Sequence, residues 1–462
     1  MDQTFLDATT SFIAATRDLI FVRPEDDVLI LRPNRVQYLN ATAAEVLDAL
    51  YRPATVDVAA VVKALATRYA VPEEQIVSDI RALLRTLETL LQNRPGETPA
   101  IQRTGFGVHQ RKLPVISEIA LTYRCQNRCF FCYASAPDRG RQTPEMSTGE
   151  VKRIIDKIMD QARVPMVSFT GGEPTLRADL PEFITHARGR DMRTNLITNG
   201  IRCGDPAYVA ELAAEGLHSA QVSLEAGDAA THDAVVGHPG AFEKTVRAVE
   251  NLKAAGIHTH TNTTVNRQNL AALPAMIDLL ADMGQEYLSM NMLIRTGDSV
   301  GVPDISYTEI GPIVLDLKRR TEARGMRFVW YSPTPMCLFN PAAHGLGGKS
   351  CAAADGLLSV APNGDVLPCS SFEQGIGNLL REDFDVIWNR RAARYWREKK
   401  FLPPGCRECE HADLCCGACP LYWDEQGGFK ELAEHQRNSA LTRFVWRVRR
   451  RYEGRVQGVG VK

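Results

Sequence analysis

Three closely spaced cysteines constrain this chain more than any other feature. Cys125, Cys129 and Cys132 follow the pattern C-x3-C-x2-C, just after a β-prone run that ends at Thr122. Three thiols in so short a loop cannot all pair as disulfides, and no adjacent histidine or carboxylate completes a four-ligand zinc site. An iron–sulfur cluster with one open iron fits better, because that iron can bind a substrate or cofactor in place of a fourth thiolate.

Length and composition exclude several classes of protein. The chain has 462 residues, 44% of them hydrophobic, and a formal net charge of −1, so it can form two or three packed domains and has no bias toward nucleic acid. It has no signal-peptide pattern and no run of 18 uncharged apolar residues, so we expect a cytoplasmic protein without a membrane partner. Eleven of its 12 cysteines fall in two groups, 125–132 and 337–419, which predicts metal binding and leaves Cys203 isolated.

Residues 1–93 are predicted to form a winged-helix-like α+β domain. Three short β-prone runs precede three stretches with helical periodicity, and Asn40 or Thr42 is placed to cap the first helix. DNA binding and peptide capture at an exposed sheet edge both suit such a domain. The last stretch offers only Arg81 and Arg85 against four acidic residues, which favours peptide capture. A docking or dimerisation module without a ligand is a further alternative.

Residues 94–113 contain several prolines and glycines, lack periodicity, and are predicted to be a linker. In residues 114–325 strand-like and helical stretches alternate six times, which predicts a parallel sheet with helices outside, arranged as a six-unit partial barrel. The predicted strands are 115–122, 166–170, 194–198, 220–224, 258–265 and 287–293. Catalytic residues in such folds gather at the carboxyl ends of the strands, and Cys125 follows the first of them.

The second predicted strand ends in Gly171-Gly172-Glu173-Pro174. Two glycines let the backbone approach a ligand closely, and Glu173 supplies a charge that can meet an ammonium group. An ordinary tight turn is the alternative for the glycine pair alone. Polar residues also follow the third and fourth strands, at Thr198-Asn199 and Ser223.

Taken together, the C-x3-C-x-aromatic-C triad and the Gly-Gly-Glu-Pro segment resemble those of radical S-adenosylmethionine (radical SAM) enzymes. The resemblance implies that the triad binds a [4Fe–4S] cluster whose open iron chelates S-adenosylmethionine, and that an electron donor such as flavodoxin or ferredoxin reduces it. It also implies a set of cofactor-binding residues, namely Phe131, Gly171, Gly172, Glu173, Pro174, Thr198, Asn199 and Ser223.

Residues 326–430 form a second, loop-rich cysteine region. Its spacing, Cys351-x12-Gly364-x4-Cys369 followed by C-x2-C-x5-C-x3-C from Cys406, resembles the SPASM extension of radical SAM peptide maturases, which holds two auxiliary [4Fe–4S] clusters. The resemblance assigns Cys337, Cys351, Cys369 and Cys419 to the first cluster, and Cys406, Cys409 and Cys415 to the second. The last cysteine of the family pattern is missing. The second cluster therefore has either an open iron or a different fourth ligand, which could be Asp424, His435 or Cys416. One or two zinc ribbons are the alternative for this region.

The N-terminal domain resembles the small chaperone-like recognition domain of pyrroloquinoline quinone systems, chiefly over Leu-Asn-x-Thr-Ala-Ala at 39–44. In that family leader peptides pair beside the third strand. The basic tail, 431–462, is read as a solvated helix end, with binding of an acidic peptide or an anionic surface as the alternative.

These resemblances together imply an enzyme that oxidatively crosslinks, cyclises or dehydrogenates a ribosomally made precursor peptide. Ser370 stands where sulfatase-maturing relatives carry an aspartate as proton acceptor, which argues against sulfatase activation and leaves the base unknown. One alternative is a maturase of a non-peptide cofactor such as a tetrapyrrole or a metal cofactor. The other is a redox-sensing DNA-binding protein that uses its clusters only as sensors.

Overall fold

The computed structural model describes residues 2–32, 35–92, 101–102, 112–348, 350–409 and 411–434. Most of the predicted linker and the basic tail from residue 435, including His435, lie outside these ranges. Within the described residues, the N-terminal unit contains four α-helices and a four-stranded antiparallel sheet in the order β1-β2-β3-β4. Its elements are α1 (Gln3–Thr16), β1 (Ile20–Arg23), β2 (Val28–Leu31), β3 (Arg35–Leu39), α2 (Ala41–Tyr51), α3 (Val58–Tyr69), α4 (Glu73–Leu91) and β4 (Ile101–Gln102).

Local sequence explains most of this unit. The Asn40 side chain accepts a hydrogen bond from the backbone N–H of Ala43 at 2.8 Å and so caps α2, as its sequence position predicts. Six apolar residues of α4 recur at helical spacing and are buried, namely Ile76, Ile80, Leu83, Leu84, Leu87 and Leu90. The sequence did not predict α1, which buries Phe5 and Ile13, or β4, which pairs with the end of β3.

Seven parallel strands form the centre of the molecule. They are β5 (Ile116–Thr122), β6 (Met166–Gly171), β7 (Arg193–Thr198), β8 (Ser219–Ser223), β9 (His258–Val265), β10 (Tyr287–Met292) and β11 (Arg327–Trp330). The helices that connect them are α5 (Ala136–Arg139), α6 (Thr148–Asp160), α7 (Leu180–Gly189), α8 (Pro206–Ala214), α9 (Ala229–Val236), α10 (Ala241–Ala254), α11 (Leu273–Asp282) and α12 (Tyr307–Ala323). This confirms the predicted α/β fold, and β11 carries the parallel sheet past residue 325.

The two faces of this sheet differ in polarity. Val167, Phe169 and Leu196 point outward and are completely buried against the helices. On the other face hydroxyl and amide groups bond across neighbouring strands, as when Ser219 Oγ donates to Asn195 Oδ1 at 2.8 Å. Because side chains alternate along a strand, the apolar core lies outside the sheet and a polar surface lines the inside of the partial barrel.

The C-terminal region continues the same sheet. The strand β12 (Leu357–Val360) pairs parallel with β5, and β13 (Asp365–Leu367) and β14 (Gly377–Asn378) follow it as antiparallel strands. The part of this region that the structure describes also contains five short helices, namely α13 (Phe384–Trp388), α14 (Arg391–Arg397), α15 (Pro404–Arg407), α16 (Ala412–Cys415) and α17 (Pro420–Glu425). None of the helices in the described parts of the chain is long and apolar enough to cross a membrane.

The N-terminal unit is fixed to the end of the sheet where the central strands begin. Arg23, which is fully buried, pairs with Asp26 at 2.7 Å and donates to the backbone oxygens of residues 113, 114 and 163. Arg32 pairs with Asp191, just before β7, at 2.9 Å. The cysteine triad follows the carboxyl end of β5, so the N-terminal unit and the triad lie at opposite ends of the parallel strands.

Candidate active site

The three triad cysteines lie on the loop that leaves β5. The backbone N–H of Asn127 donates to Cys125 Sγ and that of Ala136 to Cys132 Sγ, both at 3.4 Å. Burial, followed by the nearby charge of Glu173, raises the pKa of Cys125 to about 12. Thiols this buried stay protonated at neutral pH unless a metal cluster replaces the proton, and N–H donors to sulfur are a common feature of cluster ligands.

The glycine pair joins this loop to the end of β6. The N–H of Gly172 donates to the oxygen of Thr122, and that of Glu173 to the oxygen of Arg124, both at 2.8 Å. A Cβ atom on Gly171 would overlap the Thr122 oxygen, and one on Gly172 would overlap the Arg124 oxygen. Two glycines are therefore required for the close approach of two backbone segments.

Glu173 is completely buried and its carboxylate is occupied within the protein. Its Oε1 accepts from the backbone N–H and hydroxyl of Thr175, at 3.1 and 2.6 Å, and from the Thr198 hydroxyl at 2.8 Å. Its Oε2 accepts from the Asn199 N–H at 2.8 Å. Burial raises the pKa of Glu173, and these bonds oppose that rise. In this arrangement the carboxylate holds the end of β7 against the end of β6, and its predicted contact with an ammonium group stays a prediction.

The remaining cofactor-binding candidates lie around the same loop. Asn199 Nδ2 is 3.8 Å from Cys125 Sγ and its Oδ1 accepts from Gln126 at 3.3 Å, so it contacts the triad directly. Pro174 is buried in the turn after the glycine pair. Phe131 packs edge-on against Phe130 with ring centroids 5.5 Å apart. Ser223 is the last residue of β8 and points to the inner face beside Asn262 of β9.

The structure groups the second set of cysteines differently from the sequence prediction. Burial, followed by the nearby thiols of Cys415, Cys406 and Cys409, raises the pKa of Cys337 to about 11. The backbone N–H of Met336 also donates to Cys415 Sγ at 3.3 Å, which brings the loop of Cys337 onto α16. This position does not fit the expected assignment of Cys337 to the first auxiliary cluster, because chain spacing does not reveal which loop folds over α16. We propose Cys337 as the fourth cysteine of the second group.

Three cysteines remain together in the first auxiliary group. Burial, followed by the thiols of Cys351 and Cys419, raises the pKa of Cys369. Cys416 is also buried, and besides this burial the nearby thiol of Cys351 is one of the groups that raise its pKa. The second group therefore has four thiols and the first has three, with Cys416 nearby.

The donors suit iron–sulfur clusters, because they are thiols and thiolates are the usual ligands of such clusters. The buried Oδ1 of Asn127, in the triad loop, has no hydrogen-bond partner, as expected of a group that faces a bound molecule.

The inner face also carries a carboxylate that the sequence prediction missed. Glu118 of β5 accepts a hydrogen bond from Ser359 Oγ of β12 at 2.8 Å and lies near Ser370, the residue after Cys369, which opposes the rise in its pKa. The next inward residue of β5, Ala120, packs with Tyr123 and the triad loop. The sequence does contain a signal for Glu118, because it is a single acidic residue at an inward position of an otherwise mostly apolar strand.

Comparison with known families agrees with this geometry. The model of the radical SAM superfamily matches residues 119–289, that of coenzyme PQQ synthesis protein D (PqqD) matches 27–90, and that of the SPASM iron–sulfur cluster-binding domain matches 351–410. The chain is a radical SAM enzyme with a PqqD-like N-terminal domain and a SPASM domain. These domains imply S-adenosylmethionine and iron–sulfur clusters as cofactors.

Similar proteins have two kinds of name. An AdoMet-dependent heme synthase from Nitratidesulfovibrio vulgaris is 29% identical over 319 residues, 64% of this chain and 85% of that protein. A PqqA peptide cyclase from Granulibacter bethesdensis is 28% identical over 314 residues, 65% of this chain and 80% of that protein. Among solved structures, Streptococcus suis SuiB bound to its precursor peptide SuiA superposes with a TM-score of 0.67 at 14% identity, covering 89% of this chain and 96% of that one. At this low identity the likeness to SuiB shows a similar fold.

Proposed function

We propose that this radical SAM enzyme oxidatively modifies a ribosomally made precursor peptide, by crosslinking, cyclisation or dehydrogenation. The observation that carries the proposal is the PqqD-like domain fixed to the barrel by buried Arg23. A recognition domain in the same chain as the catalytic barrel suits a substrate that is held at one point and modified at another. The PqqA peptide cyclase relatives and the SuiB fold support a peptide as the partner.

In this proposal Cys125, Cys129 and Cys132 hold the catalytic cluster, and the second cysteine region holds two auxiliary clusters. When bound and reduced by an external donor such as flavodoxin or ferredoxin, the catalytic cluster and S-adenosylmethionine supply a 5′-deoxyadenosyl radical that removes a hydrogen atom from carbon. The polar segments at the ends of β6, β7 and β8 position the cofactor. The enclosed inner face orients the target C–H bond and excludes water.

The edge of β3 is the proposed site for the leader of the precursor. A peptide that adds a strand to a sheet edge gains main-chain hydrogen bonds, and pockets for alternate side chains give specificity. The short strand β4 pairs with Tyr38 and Leu39 at one end of β3. The leader is therefore expected to pair along the remainder of the strand, Arg35 to Gln37, or to displace β4.

The test is an anaerobic incubation of the reconstituted full chain with reductant, S-adenosylmethionine and a synthetic peptide for each short reading frame that flanks its gene. We expect one peptide to become lighter by two hydrogen atoms, and the same peptide without its leader to bind more weakly by fluorescence anisotropy. Cys129→Ala is the control and should give neither deoxyadenosine nor product. Formation of deoxyadenosine without a change in any peptide would contradict the proposal.

Oxidation of a tetrapyrrole is the second candidate, because the heme synthase of N. vulgaris is among the relatives. In this case the PqqD-like domain binds a protein partner. The same incubation with an iron tetrapyrrole in place of the peptides separates the two candidates, since only one substrate class should be oxidised.

A further inference from the structure

The proposed peptide oxidation needs a proton acceptor. A net two-electron oxidation removes a hydrogen atom, an electron and a proton from the substrate. The hydrogen atom goes to the deoxyadenosyl radical and the electron to an auxiliary iron–sulfur cluster. The proton needs a base, and Ser370, the residue after Cys369, has a hydroxyl that does not accept a proton at neutral pH.

Glu118 lies where such a base is needed. It occupies an inward position of β5, opposite Ser168 of β6 and Ser359 of β12. Its carboxylate accepts a hydrogen bond from Ser359, and Ser370 is close enough for its side chain and backbone to oppose the rise in the pKa of Glu118. A carboxylate from the barrel therefore reaches the position after Cys369, in the first auxiliary group.

Tyr133 connects the same place to the triad. It directly follows Cys132, and Thr170 of β6 and Ser370 are close enough to its phenol to oppose the rise in its pKa that burial causes. Glu118, Tyr133 and Ser370 each keep some exposed surface. A substrate held between the triad and the first auxiliary group would therefore be able to meet the Glu118 carboxylate.

The surroundings of Glu118 suit both of its protonation states. Burial raises the pKa of this carboxyl group, which favours the neutral acid formed when a proton is accepted. The hydrogen bonds from Ser359 and Ser370 oppose this shift and stabilise the carboxylate beforehand. The titratable groups around it include Tyr133, Cys369 and Tyr123, the last beneath the guanidinium of Arg139 at 4.2 Å.

We propose that Glu118 is the catalytic proton acceptor of this oxidation, supplying from β5 the carboxylate that position 370 lacks. The inference rests on the proposed function. The substrate C–H bond breaks when its hydrogen atom forms 5′-deoxyadenosine. The substrate radical then gives one electron to an oxidised auxiliary cluster and one proton to the Glu118 carboxylate as the new bond forms, and the carboxylic acid later releases that proton to solvent.

The test compares Glu118→Gln with the wild type on a peptide that the wild type converts. Glutamine keeps the size of the side chain and a hydrogen-bond acceptor but is not a base at neutral pH. We expect the yield of product per deoxyadenosine to fall by about 10²-fold or more. Iron content, peptide affinity and transfer of deuterium from labelled peptide to deoxyadenosine should be unchanged, because they precede the proton transfer. Glu182→Gln, an exposed glutamate of α7, is the matched control and should retain full yield.

A rescue variant separates a catalytic role from a structural one. Ser370→Asp in the Glu118→Gln background restores a carboxylate near the same place and should recover the yield of product per deoxyadenosine. If the wild type converts a peptide and Glu118→Gln keeps its yield per deoxyadenosine, the Glu118 inference alone is overturned. If the double variant Glu118→Gln/Ser370→Asp forms deoxyadenosine but no product, that result also counts against the Glu118 inference. If the wild type converts no peptide, the proposed function fails and the inference fails with it.

Discussion

The buried carboxylate of Glu173 gives the sharpest test of how the site is assembled. Its two oxygens accept four hydrogen bonds, three on Oε1 from Thr175 and Thr198 and one on Oε2 from Asn199. In Glu173→Gln the favoured amide orientation keeps the three bonds to Oε1 and turns its NH2 group toward the Asn199 N–H. One bond is lost and two donors then face each other inside the protein.

The expected cost follows from that geometry. A buried donor left without an acceptor costs about 1–3 kcal/mol, so the cluster-free Glu173→Gln protein should unfold at a lower temperature than the wild type by several degrees. The assay is thermal unfolding of the cluster-free full chain, followed by circular dichroism. Glu182→Gln is the control, since that side chain is exposed on α7 and pairs with Lys152.

The two roles considered for Glu173 predict different outcomes. If the carboxylate holds the ends of β6 and β7 together, the loss of stability occurs without cofactor. If it serves only to meet the ammonium group of S-adenosylmethionine, the cluster-free variant should be as stable as the wild type. Equal unfolding temperatures would therefore refute the assembly role inferred from the four hydrogen bonds.

Three further predictions concern the cysteines, the pH and the domain contact. Cys337→Ala should lose about four irons per chain by elemental analysis, whereas Cys203→Ala should lose none; equal iron would contradict a ligand role for Cys337. Burial raises the pKa of Glu225 to about 8. The folded protein therefore holds a proton that the unfolded chain releases, and stability falls as pH rises from about 4.5 to about 8; Glu225→Gln should reduce that fall in thermal midpoints. Arg23→Ala should lower the free energy of unfolding, measured with denaturant, by about 3–5 kcal/mol because it leaves the buried Asp26 unpaired. Arg32→Ala, which removes the more exposed pair with Asp191, should lower it by about 1 kcal/mol or less.

The sequence predicted the central strands closely because each combines a β-prone run with flanking turn residues. The predicted strand 258–265 coincides with β9, and 115–122 differs from β5 by one residue. The glycine pair was also placed correctly at the end of β6. These features depend on local preferences and on alternation along the chain, which a single sequence contains.

The partners of distant side chains could not be predicted in the same way. The grouping of Cys337 with Cys415 depends on a loop that folds back across 79 residues, where the Met336 N–H meets the Cys415 sulfur. The bond between Glu118 and Ser359 likewise depends on β12 returning to pair with β5 across 241 residues of chain. Chain spacing contains neither contact, although the acidic residue itself was visible in the strand.

The central claim is that this enzyme removes a hydrogen atom from a peptide carbon. Its most direct test is an incubation with S-adenosylmethionine, reductant and a precursor peptide deuterated at its carbon-bound positions, followed by mass spectrometry of the 5′-deoxyadenosine. We predict that each modified peptide transfers one deuterium to deoxyadenosine. Deoxyadenosine that carries no deuterium while the peptide is modified would contradict the claim.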